Sequence, residues 1–182
     1  MLNKVSEETV NQALCTYVAK GTRYLKNSFI ECLGKDKVRL KAIFGISESC
    51  YLSPSSGHFN AVEALICFNQ MLYVALLGGI EKKYFSFYSH ISPQDFNQHR
   101  RSVYILEFER VKFKKQVNNF YFYGSFVLEK LKTIGDKMYA DCRCCSVNEE
   151  DTADFSRLLK YPYLLCGIKM PDNRRLSVGC WE

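Results

Sequence analysis

Five side chains able to do chemistry interrupt an otherwise apolar run at residues 55–73, SSGHFNAVEALICFNQMLY: His58, Asn60, Glu63, Asn69 and Gln70. At about 100° per residue, Asn60, Glu63 and Gln70 fall on one stripe of a helix. Asn69 falls about 180° from Asn60, on the far side. One face of one helix therefore cannot gather all five. Asn69 reaches a site built on Asn60 only across a subunit or domain boundary.

Two readings fit the stripe. Asn60-x-x-Glu63 has the spacing of a capping box, which would only stabilise the helix start. The same helix start presents unpaired amides and the positive end of the helix dipole. A thioester carbonyl lying there would be polarised, and oxyanion charge developing on it would be stabilised. Gly57 would let backbone approach a ligand closely. His58 or Glu63 could move a proton, Glu63 best if buried. The apolar helix could also wall an acyl-chain tunnel. Nucleophilic catalysis fits poorly. No G-x-S-x-G elbow is present, and Cys67 lies mid-helix rather than at a helix start that would favour a thiolate.

The elements that would position these residues follow from periodicity. Residues 6–19 predict a helix capped by Ser6, with Val10, Leu14 and Tyr17 on its buried stripe and Gly21 beyond its end. Residues 22–33 and 37–47 predict two strands joined by a Gly-Lys-Asp turn. The central helix is expected over 59–77, stopping at Gly78-Gly79. A short helix at 92–101 would use Ser92 as cap and Pro93 as its first residue. Strand-like runs follow at 102–113, 118–131, 136–146, 162–169 and 174–181, with an acidic loop at 148–155. Long strands covering one helix that is apolar on nearly every side predict an α+β hotdog fold: a curved antiparallel sheet wrapped around a central helix. Residues 1–182 read as one domain.

Composition narrows the function. No apolar run reaches the roughly 18 residues of a membrane span without strong polar breaks. The start, MLNKVSEETV, has no signal-peptide core. Nine cysteines, odd in number and irregularly spaced, predict reduced thiols in a cytoplasmic protein. The CRCC cluster lacks the paired arms of a zinc site, so neither metal nor other cofactor is expected. The net charge of +6 suits a polyanion such as the phosphates of coenzyme A or an acidic carrier protein. The basic run RVKFKK alternates like a half-buried strand, and no nucleic-acid-binding motif accompanies it.

The stretch GHFNAVE…CFNQ closely resembles the motif of the FcoT-like acyl thioesterase family. YVAKGTRYL at 17–25, ESCY at 48–51 and RLLKYP at 157–162 extend the resemblance over most of the chain. It implies a hotdog fold with active sites at subunit interfaces, in a homodimer or larger homo-oligomer. It also implies action on fatty acyl thioesters of coenzyme A or acyl carrier protein. Members in isonitrile-lipopeptide pathways add glycine to a (2E)-enoyl thioester on the carrier protein, with hydrolytic release. The family's polar site residues carry over as Tyr17, Tyr51, Asn60 and Asn69. The segment LSPSS after Tyr51 is one residue longer than the family pattern and contains Pro54. Lys20 and Arg23 would bind phosphate or a carboxylate such as that of glycine, or else are solvated charges flanking a strand. A plain acyl-CoA thioesterase and a non-catalytic acyl-chain or carrier-binding module are the competing expectations.

Overall fold

The computed structural model describes residues 1–88, 91–98, 103–111, 113, 115–134, 137–148 and 164–170. The elements run β1 (Asn3–Lys4), α1 (Glu7–Val18), β2 (Leu25–Gly34), β3 (Lys37–Phe44), α2 (Ala61–Glu81), α3 (Pro93–Gln98), β4 (Tyr104–Val111), β5 (Phe122–Ile134), β6 (Lys137–Val147) and β7 (Leu164–Met170). The strands form one sheet in the order β1-β2-β3-β5-β6-β7-β4. Every pairing is antiparallel. A curved antiparallel sheet with a long helix against it is the hotdog arrangement. The expected strand at 174–181 and most of the acidic loop at 148–155 lie outside the described residues.

Alternation builds the core. Val38, Leu40, Ala42 and Phe44 of β3 point inward and are buried, with Lys37, Arg39, Lys41 and Ile43 less buried between them. Their partners on β5 include Leu128 opposite Val38, Phe126 opposite Leu40 and Phe122 opposite Phe44. Phe44 and Phe122 stack at 5.2 Å, and Phe68 of α2 lies 5.7 Å from Phe126. A side chain at Gly124 would come within 2.8 Å of Met71 Sδ, which marks where α2 crosses β5 most closely. From Phe68 onward, all but the half-buried Asn69, Tyr73 and Glu81 of α2 are buried. By length and mean hydropathy (1.6) alone α2 is apolar enough to cross a membrane, but 61% of that window is buried inside the protein.

The first helix matches its expectation closely. Ser6 caps α1 by accepting the Thr9 N–H, and Val10, Ala13 and Leu14 are buried. Gly21 (φ +63°) turns the chain beyond its end. β2 begins at Leu25, three residues later than expected. The Gly-Lys-Asp turn is present, with Gly34 at φ +148° and Asp36 at φ +53°. Ser92 caps the short helix: its hydroxyl accepts the Asp95 N–H and donates to the Asp95 carboxylate. Residues 99–101 of that expected helix lie outside the described residues.

One helix end differs from its expectation. The Gly78-Gly79 pair does not stop α2, which continues to Glu81. These glycines serve packing instead. A Cβ at Gly79 would sit 2.2 Å from the buried Phe85 ring, and one at Gly78 would touch Val5 and Ile30. The CRCC cluster is part of β6. Cys142 and Cys144 face the core opposite Leu128 and Phe126, and Cys145 points to the other face beside Ser125.

Candidate functional site

The loop from Gly45 to Asn60 brings the site residues to the start of α2. It has no regular structure, so outside contacts set its course. Ile46 N–H donates to the Asn119 carbonyl at 2.7 Å, and Phe59 N–H donates to the Val117 carbonyl at 2.9 Å. The buried Asn119 amide donates to Ser55 Oγ at 2.9 Å. Phe59 then packs on Phe122 at 4.6 Å, anchoring the residues around it to the core. Gly57 lies at φ +74°, a backbone conformation that favours glycine, and the space where its Cβ would point is open. Its requirement is therefore the turn itself.

Asn60 and Glu63 form a complete capping box. Asn60 Oδ1 accepts the Val62 and Glu63 N–H groups at 3.0 and 3.2 Å, and Glu63 Oε2 accepts the Asn60 N–H at 3.3 Å. This is the capping box that the Asn60-x-x-Glu63 spacing predicts, and Asn60 itself occupies the two helix amides that the alternative reading offered to a ligand. The box leaves two polar atoms over. Asn60 Nδ2 and Glu63 Oε1 are both buried and lack a partner of hydrogen-bonding geometry among the described residues. Glu63 is fully buried, and no basic side chain among the described residues pairs with it. A buried donor and a buried acceptor left without partners are costly unless something binds to them.

The surroundings of Glu63 register its charge. Tyr51 lies beside Asn60, and its phenol is raised above the ordinary tyrosine value. Loss of hydration is the main cause, followed by the Glu63 charge and Cys50, with the Asn60 amide acting the other way. Tyr51 thus lies near the start of α2. Burial first and Glu63 second push the Cys67 thiol well up, which removes it as a nucleophile. Tyr24 is also raised, by burial, by contact with Cys50 and by Glu63. Tyr24 and Cys50 did not emerge from the sequence, because their approach to Glu63 depends on the path of the 45–60 loop.

The other expected residues divide by location. His58 is exposed and bridges to Asn118 of the segment entering β5. Its Nδ1 lies 3.1 Å from the Ser56 carbonyl. A carbonyl only accepts, so Nδ1 donates to it. His58, Phe59, Asn60 and Ala61 line one side of an open groove of about 540 Å³, and Phe113, Lys115 and Gln116 line the other. Gln70, two turns along the Glu63 stripe, ties down the α1–β2 junction that carries Tyr17, Lys20 and Arg23. That junction lies about 10 Å along the helix from Glu63. Tyr17 is half-buried at the edge of the core, Lys20 is exposed, and Arg23 donates to Asn11 Oδ1 at 2.7 Å. Asn69 lies on the opposite face of α2, half-exposed, as the wheel requires.

A curved sheet around a long buried helix, with the Asn60–Glu63 capping box at that helix's start, defines a hotdog-fold protein. The FcoT-like thioesterase domain matches residues 12–153, and the chain belongs to that family. It is similar to a protein named (2E)-enoyl-[ACP] glycyltransferase from Mycobacterium bovis (strain ATCC BAA-935 / AF2122/97), 32% identical over 130 residues, 71% of this chain and 70% of the relative. A protein of the same name from Mycobacterium marinum (strain ATCC BAA-535 / M) is 32% identical over 114 residues, 63% of this chain and 61% of the relative. Another from Streptomyces coeruleorubidus is 29% identical over 119 residues, 65% of this chain and 70% of the relative.

Proposed function

We propose that this protein adds glycine to a (2E)-enoyl thioester carried on acyl carrier protein and releases the product by hydrolysis. The observation that carries the reading is the buried Glu63 carboxylate, which among the described residues has one oxygen without a partner and no cation paired with it. Such a group favours an incoming ammonium. Glu63 Oε1 accepts a proton from the glycine ammonium, freeing the amine. The amine nitrogen bonds to the β-carbon and becomes a secondary ammonium, the π pair moves toward the thioester oxygen, and the α-carbon then takes the proton back from Glu63, which restores the carboxylate. The Asn60 Nδ2–H, beside Tyr51, supplies a donor for the charge on that oxygen. Tyr51 orients the thioester from the same side. In the hydrolytic step, water adds to the carbonyl and the carrier thiol leaves. The names of the relatives support the choice of substrate.

The active unit is a homodimer or larger homo-oligomer. Val62 (43% exposed) and Leu65 (38% exposed) leave an apolar stripe on the first turns of α2, continued by Ile66 and Tyr73. Asn69 lies in the middle of that stripe. A second subunit covering it would bring Asn69 into a shared site.

The reaction is tested by incubating the protein with an enoyl-carrier-protein and glycine, then analysing products by mass spectrometry. A glycine adduct is expected. Free enoic acid without adduct would instead identify plain hydrolysis. Saturable binding without turnover would identify a non-catalytic module. Glu63→Gln should abolish the adduct, and full activity in that variant removes Glu63 as the base.

A further inference from the structure

Tyr24 stands between the rigid part of the fold and the site. All three of its polar groups are engaged. Its N–H donates to Gln70 Oε1 at 3.1 Å, and its carbonyl accepts the Gly45 N–H at 3.1 Å. Its hydroxyl accepts the Cys50 N–H at 3.2 Å, and the ring is 3% exposed. Gln70 is fully buried. It also accepts the Leu25 N–H at 2.9 Å and donates to the Thr22 carbonyl at 2.6 Å. The helix that carries Glu63 therefore also fixes the backbone of Tyr24.

The far end of this chain of contacts is Cys50, the residue before Tyr51. Between Ser47 and Ser55 the loop has no strand or helix to hold it. Tyr51 itself is 45% exposed, so core packing does not lock its ring. The Tyr24 hydroxyl is the tether on the residue next to it. Phenylalanine at position 24 would keep the buried ring but leave the Cys50 N–H to solvent.

We infer that Tyr24 is a positioning residue: through its hydroxyl bond to Cys50 it holds Tyr51 beside Asn60. Its activity test rests on the proposed thioester reaction, while its structural test does not. The structural test places 3-fluorotyrosine at position 51 and follows its fluorine resonance. Tyr24→Phe should move that resonance and bring its titration toward that of free fluorotyrosine. An unmoved resonance with unchanged titration overturns the inference.

The activity test measures Tyr24→Phe alone and with Tyr51→Phe. The single variant should lose about tenfold in kcat with KM within about twofold, and should cost less than about twofold once Tyr51 is already Phe. Equal losses in both backgrounds overturn the inference, since Tyr24 would then act independently of Tyr51. A wild-type protein that turns over no thioester refutes the reaction alone and leaves the fluorine shift to decide Tyr24.

Discussion

Asn60 and Glu63 satisfy each other across the first turn of α2, yet each keeps one buried atom unsatisfied. Asn60 Oδ1 accepts the Glu63 N–H at 3.2 Å and Glu63 Oε2 accepts the Asn60 N–H at 3.3 Å, while Asn60 Nδ2, beside Tyr51, and Glu63 Oε1 meet no partner of hydrogen-bonding geometry among the described residues. Capping and catalysis therefore use different atoms of the same two side chains, and substitution can separate them. Serine caps a helix about as well as asparagine but has no amide N–H group. Asn60→Ser should keep the thermal midpoint near wild type and lower kcat by at least about tenfold, the effect of losing one oxyanion donor. Asn60→Ala should lose activity and also about 1 kcal/mol of stability. Thermal melts alongside steady-state kinetics check both, and a fully active Asn60→Ser enzyme would remove the Nδ2 role.

The site also predicts which cysteines react. Cys15, Cys32 and Cys50 are exposed, whereas Cys67 and Cys145 are buried. Burial pushes the Cys145 thiol up to about 12, against the pull of the Ser125 backbone and of Arg39. Cys67 is pushed up by burial and by Glu63. At pH 7.5 iodoacetamide should label Cys15, Cys32 and Cys50 in the native protein and reach Cys67 and Cys145 only after unfolding in urea. Peptide mass spectrometry reads this directly. Native labelling of Cys67 would contradict the closed floor beneath Glu63.

Alanine usually improves a helix over glycine by about 1 kcal/mol. Gly79→Ala should do the reverse, because its Cβ would press on the buried Phe85 ring, and overpacking of this kind costs about 1–3 kcal/mol. Gly78→Ala, whose nearest atoms lie at 3.3 Å, should be nearly neutral. Denaturant titrations compare the two. Adding Phe85→Leu to Gly79→Ala should recover part of the loss, and strict additivity would argue against the clash.

Glu81 joins the end of α2 to the start of α1, where it accepts the Ser6 hydroxyl at 3.0 Å. Burial alone would raise its carboxyl. Hydrogen bonds from Lys82, Thr9 and Ser6, with the Lys82 charge, outweigh that and leave it below the ordinary value. A depressed carboxylate adds stability above the unfolded-state range, and that contribution disappears as pH falls through the folded value. Glu81→Gln should therefore destabilise at pH 7 by about half a kcal/mol, a small figure because the pair is partly solvated. The difference should vanish in strong acid. Melting curves from pH 2 to 7 test the slope.

If the Val62–Leu65 stripe is the subunit contact, Leu65→Glu should convert the protein to a smaller species by light scattering, and activity should fall with it. Assembly unchanged in that variant would place the interface elsewhere.

Much of this fold was legible in residue order alone. Period-two alternation in β3 and the three-to-four-residue spacing in α1 report which side each residue faces, because those periods are properties of the backbone. The capping box was equally readable, since Asn60 and Glu63 lie within one turn of each other. The wheel also separated Asn69 from that pair before any contact was known.

Tertiary structure decided the rest, because it depends on what approaches from elsewhere in the chain. Gly78 and Gly79 look like a stop signal until Val5, Ile30 and Phe85 are packed against them. Tyr24 and Cys50 lie 26 positions apart, yet the loop from Gly45 to Asn60 joins them and brings Tyr51 to Glu63. The pattern in the sequence sets the direction in which a side chain points; only the folded path of a loop without regular structure sets what it meets there.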